Sequence, residues 1–97
     1  MIRHTVAFRL IHAPGSPKEK AFLAEGKRIL AAIPGVEKFE ALRQVGHKND
    51  YTFGFSMEFA DQRAYDGYDR HPEHTAFVRE RWEKEVEIFL EIDYAPL

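Results

Sequence analysis

Tyr51-Thr52-Phe53-Gly54-Phe55-Ser56-Met57-Glu58-Phe59 alternates bulky apolar side chains with small or polar ones without a break. A period of two puts Tyr51, Phe53, Phe55, Met57 and Phe59 on one face of a strand and Thr52, Gly54, Ser56 and Glu58 on the other. The first face is almost wholly aromatic and must be covered, so this strand predicts the centre of the core. The same rule gives a strand over Ile2–Leu10, with Ile2, His4, Val6, Phe8 and Leu10 on one face and Arg3, Thr5, Ala7 and Arg9 on the other. Val36 to about Val45 alternates more weakly and is joined to Tyr51 by a polar connection, Gly46 to Asp50, as a hairpin would be. Ile88, Leu90, Ile92 and Tyr94 predict a last strand.

Two helical stretches separate these strands. Ser16-Pro17-Lys18-Glu19 supplies an N-cap serine, a proline suited to the first helical turn and a glutamate placed for a capping box. Phe22, Gly26, Ile29 and Ile33 then form an apolar stripe flanked by Leu23 and Leu30, and Ile33-Pro34-Gly35 ends the helix. Asp61 can cap a second helix carrying Ala64 and Tyr68. His71-Pro72 breaks that helix, because proline disfavours helical geometry in the residue before it. The second piece shows His74, Phe77, Val78, Arg81, Trp82 and Val86 on one broad face.

The resulting order, βαββαβ, predicts an α+β fold of the ferredoxin-like type: a four-stranded antiparallel sheet with the helices on one face, in a single domain over residues 1–97. The open face is expected to carry Arg3, Thr5, Arg9, Ser56, Glu58, Phe89, Glu91 and Asp93, with small Ala7 and Gly54 on the middle strands. Such a mixed-charge face suits pairing with a second copy about a twofold axis, which predicts a homodimer and, with it, a dimeric α/β barrel.

Composition narrows the function classes. At 44% hydrophobic and 13% aromatic the chain has ample material for a core, and with no cysteine it has neither disulfides nor thiolate metal sites. Fourteen basic against sixteen acidic residues leave a net charge of −2, without the basic footprint that nucleic acid or an anionic membrane selects. No stretch approaches the roughly 18 apolar residues of a spanning helix, and the N-terminus alternates where a signal peptide would have an apolar block. The cytoplasm is the expected compartment.

Three polar residues stand on otherwise apolar faces: His4, Tyr68 and His74. By period all three point between sheet and helices, where two imidazoles and a phenol could exchange protons near neutral pH. The same positions also suit core residues with satisfied nitrogens. Phe22, Gly26, Phe53, Phe55, Phe77 and His71 are the candidate walls of a pocket there, and a small apolar or aromatic molecule is the expected ligand. Gly26 removes side-chain volume from the first helix's apolar stripe, which implies either a close approach or space for a ligand. His71-x-x-His74 has metal-like spacing, but His71 precedes Pro72 and no acidic residue has an obvious place beside the pair. Neither a metal nor another cofactor is expected.

His4, Ile33-Pro34-Gly35-Val36, the string Tyr68-x-x-His71-Pro72-x-His74 and the terminal Ile92-Asp93-Tyr94 together resemble the stress-responsive A/B barrel (Dabb) family over essentially the whole chain. The resemblance implies a homodimer whose sheets pack face to face. Most members have no established reaction, so it implies first a small-molecule-binding dimer. One plant member closes a linear polyketide by intramolecular aldol condensation without metal or cofactor. By motif match its catalytic tyrosine and histidine fall on Tyr68 and His74, with His4 in the same pocket. Phe53 and Gly26 stand where that member has a histidine and a tyrosine, which implies a more apolar pocket and a different ligand. The related architecture of cofactor-free monooxygenases and haem-degrading proteins implies a third reading, with a histidine serving oxygen chemistry or iron ligation.

Overall fold

The computed structural model describes residues 1–97. β1 (Ile2–Leu10), α1 (Pro17–Ala31), β2 (Glu37–Arg43), β3 (Phe53–Phe59), α2 (Gln62–Arg70), α3 (Pro72–Phe77) and β4 (Val86–Tyr94) follow in order. A π-helical segment (Val78–Trp82) and one last helical turn (Glu83–Glu85) carry α3 into β4. The sheet order is β2-β3-β1-β4, antiparallel throughout, which is the ferredoxin-like arrangement.

Local chemistry explains the boundaries. Ser16 accepts the Glu19 N–H at 3.3 Å, and the Glu19 carboxylate reaches back to the Gly15 N–H at 2.9 Å, one residue earlier than a standard capping box. Asp61 caps α2 through the Ala64 N–H at 2.8 Å. His71 is extended (φ −62°, ψ 136°), as the following proline requires, and its Nδ1 accepts the Glu73 N–H at 3.1 Å to start α3. The core lies between the sheet and the helices. Phe8, Phe22, Phe55, Met57 and Phe59 are fully buried there, and Leu30, Ile33, Phe53, Tyr68 and Phe77 are nearly so.

β4 departs from expectation. The pairing of β1 with β4 slips between Arg9↔Ile88 and Leu10↔Val86, so Glu87 is an extra residue in a β-bulge. Side-chain direction alternates along a strand, so one added residue reverses the phase of everything after it. Val86 faces inward opposite Leu10. Beyond the bulge, Phe89, Glu91 and Asp93 face inward, opposite Phe8, Val6 and His4. Ile88, Leu90, Ile92 and Tyr94 face outward beside Arg9, Ala7, Thr5 and Arg3. The expectation that Phe89, Glu91 and Asp93 occupy the open face is thus corrected. On that face Arg3 pairs with Glu58 at 2.8 Å, as its outward placement on β1 anticipates, and Leu90, Ile92 and Tyr94 are exposed.

Candidate functional site

The reversal in β4 builds the site. A cavity of about 500 Å³ opens between the sheet and α3, within the usual range of small-ligand pockets. Val6, Phe55 and Met57 form its floor, Leu30 closes the α1 side, and Phe77, Val78 and Trp82 form the helical wall. β4 contributes Val86, Phe89 and Glu91. His4, Tyr68 and His74 all border this space. Tyr68 lies between the two imidazoles, its ring centroid 4.5 Å from His74 and 6.1 Å from His4.

His74 stands in the first turn of α3, and its Nδ1–H donates to the Asp69 carbonyl at 3.0 Å. That bond fixes the tautomer and leaves Nε2 with a free lone pair. Burial holds the imidazole below its ordinary pKa, against the opposing pull of Asp69 and Glu91. His74 is therefore a neutral base at pH 7. Tyr68 is only 2% exposed, yet its hydroxyl makes no hydrogen bond within the protein. No buried polar atom lacks a partner, so this oxygen must open onto the cavity. Burial first, then the charges of Glu91 and Asp69, raise its pKa and keep it protonated. It is a donor waiting for an acceptor.

His4 belongs to a network that the sequence reading did not find. Its Nδ1–H donates to Asp93 Oδ1 at 2.5 Å, and the Tyr65 hydroxyl donates to Asp93 Oδ2 at 2.9 Å. The Tyr65 oxygen also lies 3.2 Å from His4 Nδ1, and His4 Nε2 is 3.6 Å from Glu91 Oε1. Two acidic residues expected on the open face thus join the site: Asp93 orients His4, and Glu91 faces it. These groups do not form a set of three or more side chains spaced to hold a metal ion.

The remaining candidates divide. Phe55 and Phe77 line the cavity, whereas Phe22, Gly26, Phe53 and His71 do not. Phe22 packs on Phe8, Phe77 and Trp82 in the core behind it. Phe53 stacks on Phe8 and under the Arg43 guanidinium, 5.2 Å from the ring centre. His71 is the α3 cap and lies on a separate shallow depression with Gly35 and Arg63. At Gly26 the answer is close approach, since a Cβ there would lie 2.9 Å from Phe55 Cζ. Trp82 and Phe89, absent from the expected walls, complete the cavity. Their ring centroids are 5.6 Å apart.

Fold and site together define a class of protein: a ferredoxin-like domain with a chamber bearing histidine and tyrosine between its sheet and its helices. The chain belongs to the stress responsive A/B barrel domain (Dabb) family, whose model matches residues 2–96. A Dabb family protein with a ferredoxin-like fold from Mesorhizobium loti is 64% identical, with TM-score 0.98, over 99% of this chain and 96% of that one. A dimeric ferredoxin-like protein of unknown function from Thermobifida fusca is 21% identical, with TM-score 0.75, over 98% and 90% of the chains. Hydroxynitrile lyase from Passiflora edulis is 16% identical, with TM-score 0.82, over 99% and 93%. Comparison with curated proteins gives no match. No helix is long and apolar enough to cross a membrane.

Proposed function

We propose that this chain is a cytoplasmic homodimer whose cavity takes a small apolar or aromatic, polyketide-like molecule and moves a proton on it without a cofactor. The observation that carries the reading is His74, with Nδ1 tied to the Asp69 carbonyl and Nε2 free beside an unbonded, protonated Tyr68 hydroxyl. Nε2 takes a proton from a carbon next to a carbonyl, and the electron pair moves onto the carbonyl oxygen. Tyr68 donates to that oxygen as it becomes negative. The enolate carbon then bonds to a second carbonyl of the same molecule, and His74 returns its proton to the new alkoxide. In an isomerisation the proton returns to a different carbon. The lyase of Passiflora shares the fold, so the architecture is compatible with chemistry at a small carbon centre.

The dimer is supported by the outward stripe of Ile88, Leu90, Ile92 and Tyr94. The isolated chain also exposes 6399 Å². That exceeds the roughly 5,700 Å² expected of a folded monomer of this mass. The dimeric relative from Thermobifida is a precedent for the fold. A cysteine-free composition fits a reducing compartment.

Trp82 is the single tryptophan and lines the cavity, so its fluorescence reports occupancy. With 4-phenyl-2-butanone as probe, wild type should show saturable quenching and should catalyse exchange of the ketone's α-protons for deuterium in D2O. His74→Gln should lower exchange by about 10²-fold or more, within the usual range for a general base, and leave affinity within about threefold. Saturable binding with no exchange above buffer would reduce the protein to a passive binder.

A further inference from the structure

The cavity's polar groups are one-sided in charge. No lysine or arginine lines it, whereas Asp69, Glu83 and Glu91 do. Arg81, on the π-helical segment that walls the cavity, is committed elsewhere. Its Nε donates to Glu85 at 2.5 Å and its guanidinium stacks on the buried Phe22 ring. His12 holds the other oxygen of Glu85 at 2.7 Å, so that cluster is closed on itself. The imidazole of His74 supplies no compensating charge, because it is neutral at pH 7. The Tyr68 hydroxyl has no partner within the protein and opens onto the cavity, where a ketone, aldehyde or alcohol oxygen can accept from it without bringing a charge.

We infer that the cavity selects ligands by charge: it takes uncharged or cationic aromatic molecules and rejects those carrying a carboxylate. The inference rests on the cavity being the ligand site, as proposed above, and adds the chemical class that occupies it. A carboxylate would enter a largely apolar chamber, lose hydration, and meet Glu91, while the lining imidazole of His4 is already taken up by Asp93 and Glu91. The aromatic walls Phe55, Phe77, Trp82 and Phe89 offer their negative ring faces, which attract cations and not anions. The proton transfer is compatible with this field. Moving a proton from carbon to His74 leaves the net charge of the filled chamber unchanged, whereas a carboxylate ligand adds a full negative charge. A reaction supplying this substrate would therefore deliver it as a neutral carbonyl compound, with any acid group released or masked beforehand.

The test pairs two probes of nearly equal shape, 4-phenyl-2-butanone and 3-phenylpropanoate, titrated against Trp82 fluorescence at pH 7.5. The ketone should bind at least tenfold more tightly than the acid. Glu91→Gln should narrow that gap several-fold, chiefly by improving the acid. Glu91 is half exposed, and circular dichroism of the variant should match wild type. If the acid binds as tightly as the ketone, charge selection is refuted while the ligand site stands. If the gap persists unchanged in Glu91→Gln, the assignment to this carboxylate is overturned. If neither probe quenches Trp82, the reading of the cavity as a ligand site falls, and the inference with it.

Discussion

Replacing Gly26 by alanine sets two effects of known size against each other. Alanine is worth about 1 kcal/mol more than glycine in a helix interior. At an open position Gly26→Ala would therefore stabilise α1. Here the new Cβ would lie 2.9 Å from Phe55 Cζ, 3.1 Å from Phe55 Cε2 and 3.4 Å from Phe77 Cζ. Carbon pairs settle at about 3.5–4.0 Å, so the Phe55 ring must move by at least about half an ångström. Phe8 and Phe39 flank that ring at centroid distances of 4.8 and 5.3 Å, which leaves the cavity as its open direction. Over-packing a filled core costs about 1–3 kcal/mol, more than the propensity gain. The expected net change is a loss of about 1 kcal/mol, equivalent to a Tm lower by about 4–8 °C in a domain this small. Thermal unfolding followed by circular dichroism, at one protein concentration, reads the first effect. Weaker ketone binding, several-fold by Trp82 fluorescence, reads the second. A variant that melts higher by a similar margin and binds the ketone as well as wild type would show that α1 does not press on these rings.

Three further outcomes follow from the same geometry. Tyr68→Phe removes a hydroxyl with no protein partner, so urea unfolding should change by no more than about 0.5 kcal/mol; a loss above about 1 kcal/mol would reveal a partner within the fold. Asp93→Asn weakens the bonds to both His4 and Tyr65 and should cost about 1 kcal/mol, limited by the half-exposed carboxylate. In a double-mutant cycle with Tyr65→Phe the two losses should be less than additive, and strict additivity would separate Tyr65 from the network. His74 is held below its ordinary value of 6.5 by burial, so below that pH the unfolded chain binds a proton that the folded chain resists. Its share of stability is complete above pH 6.5 and declines as pH falls. Glu58, lowered chiefly by Arg3, and Glu85, lowered by Arg81 and His12 despite burial, start from 4.5 and act only at lower pH. Urea midpoints at pH 7.5 and 5.5 should therefore converge in His74→Gln relative to wild type, and identical slopes would remove His74 as the cause.

Much of the fold was legible because β1 and β3 alternate strictly, so the aromatic face of Phe53, Phe55, Met57 and Phe59 could point only toward the helices. The caps at Ser16 and Asp61 and the break at His71-Pro72 were legible for equally local reasons. His4, Tyr68 and His74 were found because a polar residue on an apolar face is conspicuous, and the structure brings all three to one cavity. Asp93 and Glu91 were missed because Ile88, Leu90, Ile92 and Tyr94 alternate as regularly as a core strand does. Only pairing across the sheet shows that this stripe faces out. A faint signal existed: Val86 and Phe89, both apolar and three residues apart, can share a strand face only across a bulge. Tyr65 lies one helical turn before Tyr68 and could have been placed beside it by spacing alone.

The extra residue Glu87 ties two properties of this protein together. Were the bulge ironed out, with Glu87 taken into the ladder opposite Arg9, Glu91 and Asp93 would turn outward and Ile88, Leu90 and Ile92 toward the helices. The chamber would lose Glu91 and His4 its carboxylate in the same step that made the outer surface of the sheet more charged and less adhesive. Chemistry inside and self-association outside are therefore inherited as a unit, because one register, fixed by the bulge, sets both faces of β4.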